Sequence, residues 1–125
     1  MSTASTATAT TIKGIDVHAY LVKDPARAIA FYRDALGLPV STQMEQGAEF
    51  ELADGSTFGV WHMQDGSWHP SAGVMFAVHD LAQAAPIYRE RGVKFLDGPF
   101  DTGSCHMAVC EDTEGNSFIL HQRKA

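Results

Sequence analysis

The sequence predicts an α+β fold in which two βαβββ modules in tandem form curved sheets around a cavity, and three observations predict it. The stretch V-K-D-P-A-R-A-I-A-F-Y-R-D-A-L-G at residues 22–37 returns as V-H-D-L-A-Q-A-A-P-I-Y-R-E-R-G at 78–92, with Asp24 and Asp80 standing 56 positions apart. Such a recurrence is an internal repeat, with one residue dropped before the closing glycine. The turn and strand D-G-S-T-F-G-V-W-H at 54–62 returns as E-G-N-S-F-I-L-H-Q at 114–122. Finally, a sheet carrying helix on one face leaves its other face bare, so two copies must cover one another or share a curved sheet around a cavity.

Residues 1–13 open the chain with a Ser/Thr/Ala-rich tract, which is expected to be a disordered tail and has neither the basic start nor the apolar run of a secretory signal. The rest, 14–125, reads as a single domain with module one at 14–63, a linker at 64–71 and module two at 72–124. Residues 15–22, I-D-V-H-A-Y-L-V, are rich in β-branched and aromatic side chains and predict the first strand. Asp24 then offers an N-cap carboxylate, Pro25 suits the first helical position, and Gly37 stands where a left-handed C-cap residue belongs. Three strands follow at about 39–45, 48–52 and 57–63, separated by turns at Gln46-Gly47 and Asp54-Gly55. In module two the corresponding strands fall at about 93–96, 105–111 and 117–122, with D-G-P-F-D-T-G-S as a longer loop. Pro86 is expected to kink the second helix or confine its regular part to one end.

Fifteen acidic against nine basic residues give a net charge of −6, which argues against a nucleic-acid partner because phosphate backbones call for clustered Lys and Arg. No apolar run approaches the roughly 20 residues a membrane span needs, so no membrane partner is expected. Cys105 and Cys110, five apart in one strand, point to opposite faces and are not expected to pair, so a reducing cytoplasm is the expected location.

The order of elements, the helix D-P-A-R-A-I-A-F-Y-R-D-A-L-G-L and the C-terminal D-T-E-G-N-S-F-I-L resemble the vicinal oxygen chelate superfamily, which includes glyoxalase I, extradiol dioxygenases and bleomycin resistance proteins. In its metal-dependent members, the resemblance implies, a histidine lies seven residues before the Asp that opens each helix and a glutamate three residues after the Asn of the turn. Those positions hold Val17, Gly73 and Ile119, with Gly59 as the copy-one partner, and none offers a side-chain donor for zinc, iron or nickel.

If the usual ligand positions face the cavity, every second residue joins them, which gives Val17, Ala19, Gly59, Trp61, Met63, Gly73, Met75, Ile119 and His121 as a mostly apolar ligand-binding wall. His121 is the expected polar handle, as acid, base or hydrogen-bond donor, with His106 as a second catalytic candidate. His18, one residue out of phase, joins His121 and His106 as a candidate ligand for a rearranged metal centre, should a bulge turn it inward. Glu49 and Glu51 share one strand face and read as solvent-exposed. The leading expectation is a protein that binds a hydrophobic or aromatic metabolite or antibiotic, by sequestration or metal-independent conversion, with no cofactor. The alternative is a lyase, isomerase or dioxygenase with a divalent metal on a rearranged His site. A homodimer is implied by relatives whose cavity is shared between chains.

Overall fold

The computed structural model describes residues 9–124, so the first part of the expected N-terminal tail lies outside the described residues. Residues 11–17 carry no regular element, and the first strand, β1 (His18–Leu21), is shorter than the β-branched pattern predicts. Asp24 then caps helix α1 (Pro25–Ala30), its carboxylate accepting the Arg27 N–H at 3.1 Å. The helix runs on into a π-helical turn, Phe31–Ala35, closed by the Leu36 N–H donating to the Phe31 carbonyl. This wider turn places Phe31, Tyr32 and Ala35 in the core together.

Strands β2 (Val40–Met44), β3 (Gly47–Glu51) and β4 (Thr57–Trp61) complete module one, and the sheet order is β1-β4-β3-β2 with β1 parallel to β4. Module two repeats the plan with β5 (Met75–Ala77), α2 (Leu81–Glu90), β6 (Lys94–Asp101), β7 (Cys105–Glu111) and β8 (Ser117–Arg123), ordered β5-β8-β7-β6. Asp80 caps α2 as Asp24 caps α1. Two expectations are corrected here. Helix α2 passes through Pro86 without ending. The segment predicted as a loop, D-G-P-F-D, continues β6 instead, accommodated by register shifts against β7 and by Gly98 at φ 82°.

Burial alternates along β7 and β8. Tyr20, Val22, Phe50, Phe58 and Val60 of module one, with Phe76, Ala108, Cys110, Phe118 and Leu120 of module two, are buried in a single core shared by both sheets and both helices. At its centre Tyr32 from α1 lies 4.8 Å from Phe58 of its own module and 6.2 Å from Phe118 of the other, ring centre to ring centre, and Phe58 meets Phe76 edge-on at 5.1 Å. Such aromatic pairs add about 0.5–1.5 kcal/mol each beyond burial. The two modules therefore join through their helix-side faces, and the opposite face of each sheet is turned outward.

Cys110 illustrates the division. Burial in this core pushes its thiol up to about 11, whereas Cys105 stands half-buried on the outward parity. At pH 8 the Cys110 thiolate is thus roughly one part in a thousand, and iodoacetamide should label the native chain at Cys105 alone, with Cys110 reacting only after unfolding. Mass mapping of the alkylated chain checks this.

Candidate functional site

The outward faces carry the residues that the sequence pattern assigns to a ligand wall. In module one, register sets Ala19 and Glu49 on either side of Gly59, and Leu21 and Gly47 on either side of Trp61. In module two, Met75 and Val109 flank Ile119, while Ala77 and Met107 flank His121. Trp61 is 38% exposed, Met63, just beyond the end of β4, 37% and Met75 50%, high values for large apolar side chains beside the buried Val60 and Phe76. Among the described residues nothing encloses them, so these faces are open and not the enclosed cavity that the repeat predicts within one chain.

Gly59 explains a feature of the first face. A side chain there would press on Val17 Cγ1 at 3.2 Å and approach Glu49 Cγ at 3.9 Å, so the missing Cβ leaves room for both. Glu49 is half-buried and shares the outward face with Trp61, instead of being the solvent-facing residue its spacing suggests. Sequence reasoning also missed Met107 and Phe100, which are paired with each other beside His121. Phe100 was lost because its strand was read as a loop.

The three candidate histidines do not meet. His121 lies on the outward face, and its imidazole makes no hydrogen bond among the described residues, which leaves both ring nitrogens available to a ligand. His106 is opposite Gln122 and Asp101 and has the parity of buried Ala108 and Cys110, so it points away from His121. His18 keeps the parity of Tyr20 in a regular strand, without the bulge that would turn it outward, and faces the gap between modules. Of the other imidazoles, His62 donates from Nδ1 to the Val22 carbonyl at 3.0 Å. Among the described residues no group of three His, Cys, Asp or Glu side chains could hold a metal ion, so a metal centre of the kind used by many relatives does not fit the donors of one chain.

Between the modules lie two junctions related by the repeat, and they are built differently. At the first, the turn Asp112–Asn116 docks on module one. Asp112 accepts from the Tyr32 hydroxyl at 2.6 Å, Glu114 takes Arg27 Nη2 at 2.6 Å and the Lys23 N–H at 2.6 Å, and Asn116 Nδ2 donates to the Leu21 carbonyl at 2.9 Å. Trp68 of the linker adds its indole N–H to that same carbonyl at 3.2 Å. Asp112, Glu114 and Asn116 are all buried and all partnered. Burial, and then the neighbouring Asp112 carboxylate, hold the Tyr32 phenol well above its ordinary value, so it stays a donor. At the second junction the corresponding turn and helix leave a cavity of about 1030 Å³, lined by Leu36–Pro39, the β3–β4 turn, residues 73–78 and Tyr88. Of the predicted wall, Gly73 and Met75 reach this cavity, as does His18; Val17, Ala19, Gly59, Trp61, Met63, Ile119 and His121 do not line it.

Residues 14–120 match the model of the glyoxalase/bleomycin resistance protein/dioxygenase superfamily. The chain belongs to that superfamily. No curated protein matches the chain significantly. Among solved structures, the antibiotic-binding protein TnmS3 from Streptomyces sp. CB03234 is similar with a TM-score of 0.79 at 19% identity, over 92% of this chain and 99% of that one. Lactoylglutathione lyase from Agrobacterium tumefaciens is similar at 0.76 and 16% identity, over 90% and 95% of the two chains. A superfamily member from Nocardioides gives 0.71 at 20% identity, over 93% and 88%. At such identities these likenesses carry the superfamily fold and nothing finer. No helix of the described residues is long and apolar enough to cross a membrane.

Proposed function

We propose that this superfamily member binds a small, largely apolar, ring-bearing molecule on its outward sheet faces, acting by sequestration, and that two copies close the site between them. The observation that carries the reading is the pair Trp61 and Met75, exposed on the outward sheet faces, with Met63 exposed two residues beyond β4. An indole offers a flat stacking surface and the two thioethers adapt to irregular shapes. His121, free of internal hydrogen bonds, supplies a polar handle, and Glu49 an acceptor for a hydroxyl or amine. That one protein of this fold is an antibiotic-binding protein fits a small-molecule ligand here.

A second copy is proposed because the site is incomplete without one. Small-molecule sites bury most of the ligand surface, which an open sheet face cannot do. Among the described residues β1 and β5 each have a neighbouring strand on one side only; the end of β1 at Leu21 is taken by Ser71, Trp68 and Asn116, and the edge left unpaired beside apolar surface is the ordinary place for another chain to add. Sedimentation equilibrium at micromolar concentration is expected to give twice the 13.5 kDa of one chain, and Met75→Glu, which sets a charge on the β5 edge, to return the mass toward a single chain. A native chain sedimenting as a monomer would contradict this part of the reading.

A further inference from the structure

The repeat makes the second junction informative, because the first shows what a filled junction looks like. At the filled one, Tyr32 is paired with Asp112, and the linker delivers Trp68 and Ser71 to the end of β1. At the other, Tyr32 is matched in the repeat by Tyr88, and Asp112 and Asn116 by Leu52 and Ser56. Tyr88 is half-buried, lines the cavity, and its hydroxyl has no hydrogen-bond partner among the described residues. The segment that corresponds to the linker is the arm before β1, and it stays outside: Ile12 is 88% exposed and Ile15 74%. Among the described residues neither turn, helix nor arm therefore fills the space.

We infer that this inter-module cavity is a second small-molecule site, which shares Gly73 and Met75 of the predicted wall but not Trp61, Met63 or His121, for a neutral or cationic apolar ligand carrying a group that accepts from or donates to Tyr88. Its volume of about 1030 Å³ is at the upper end of the range of drug-sized pockets, roughly 300–1,000 Å³. Its floor is Phe58, Phe76 and Leu120, all buried core residues, so an occupant would rest on a rigid apolar base. The charged side chains on its wall are the carboxylates of Glu51 and Asp54, with no Lys or Arg, and this disfavours an anion. The ligand takes the place that the polar clamp and Trp68 hold on the opposite side.

The test uses the full chain carrying Trp61→Ser, which disables the outward-face site, titrated with the neutral fluorophore N-phenyl-1-naphthylamine. One molecule should bind per chain. Adding Ala53→Trp, at an exposed turn position on the cavity wall, should weaken that binding at least tenfold while the unfolding midpoint stays close to that of the Trp61→Ser chain. The sulfonated analogue 8-anilinonaphthalene-1-sulfonate should bind at least tenfold more weakly than the neutral probe. Absence of saturable binding, or an affinity that Ala53→Trp leaves within twofold, would overturn the assignment. So would tighter binding in a chain carrying Ile12→Ser and Ile15→Ser, which would make the arm the cavity's resident.

Discussion

Asp112→Ala is expected to destabilise the chain by about 3–5 kcal/mol. The Asp112 carboxylate accepts from the Tyr32 hydroxyl at 2.6 Å, the Glu114 N–H at 2.8 Å, the Asn116 N–H at 2.9 Å and Asn116 Nδ2 at 3.2 Å. Removing it strands several buried donors at once, each costing about 1–3 kcal/mol when unsatisfied. Asp112→Asn keeps an acceptor oxygen and should recover roughly half of the loss. Because Tyr32 is also the hub of the aromatic core, Tyr32→Phe in the Asp112→Ala background should cost little more, the two effects sharing one bond. Urea unfolding of the four chains measures both quantities; a loss below about 1 kcal/mol for Asp112→Ala would mean the clamp does not hold the modules together.

Trp61→Ser carries the second large effect, on binding instead of stability. In a chain whose inter-module cavity is blocked by Ala53→Trp, it is expected to weaken association with N-phenyl-1-naphthylamine at least tenfold, about 1.4 kcal/mol, the value of one good stacking contact. Folding should change by less than about 1 kcal/mol, because the indole is 38% exposed in the single chain and belongs to no core cluster. Fluorescence titration and thermal melts together separate the two quantities.

The fold was legible because its signals are local. Asp24 and Asp80 announce both helices, and the glycines of the two matching turns, Gly55 and Gly115, take the positive φ those turns require. Period-two alternation, with its phase set by the family resemblance, put Tyr20, Val60, Phe76, Phe118 and Leu120 on the helix side, where they are buried, and Trp61, Met75 and His121 on the other face of their strands, whereas Met63 lies beyond the end of β4. Alternation says which face a residue takes and nothing about what lies across from that face. The enclosed cavity expected on the outward side is therefore open in one chain, since the modules meet through their helix-side faces.

The polar clamp was hidden for a related reason. Tyr32 and Asp112 are 80 residues apart, Arg27 and Glu114 87, and Leu21 and Asn116 95, so D-T-E-G-N reads locally as a turn and gives no sign of its partners. A clue was present in the repeat itself: at matching positions copy one has Leu52 and Ser56 where copy two has Asp112 and Asn116. Unequal residues at equivalent places in a duplicated unit mark where the two halves have taken different tasks. His106 failed as a companion to His121 on simpler grounds, because in a regular strand paired Met107 to His121 the residue before Met107 must face the other way.

The outward-face site is the central claim, and it can be read at a single proton. The chain has two indole N–H groups, of which that of Trp68 is held by the Leu21 carbonyl at 3.2 Å while Trp61 stands exposed on β4. In a nitrogen-15 correlation spectrum of the Ala53→Trp chain, with the resonances assigned by Trp61→Phe and Trp68→Phe, titration with N-phenyl-1-naphthylamine should move the Trp61 signal saturably and leave that of Trp68 in place. A Trp61 signal that stays put at saturating probe would contradict the account.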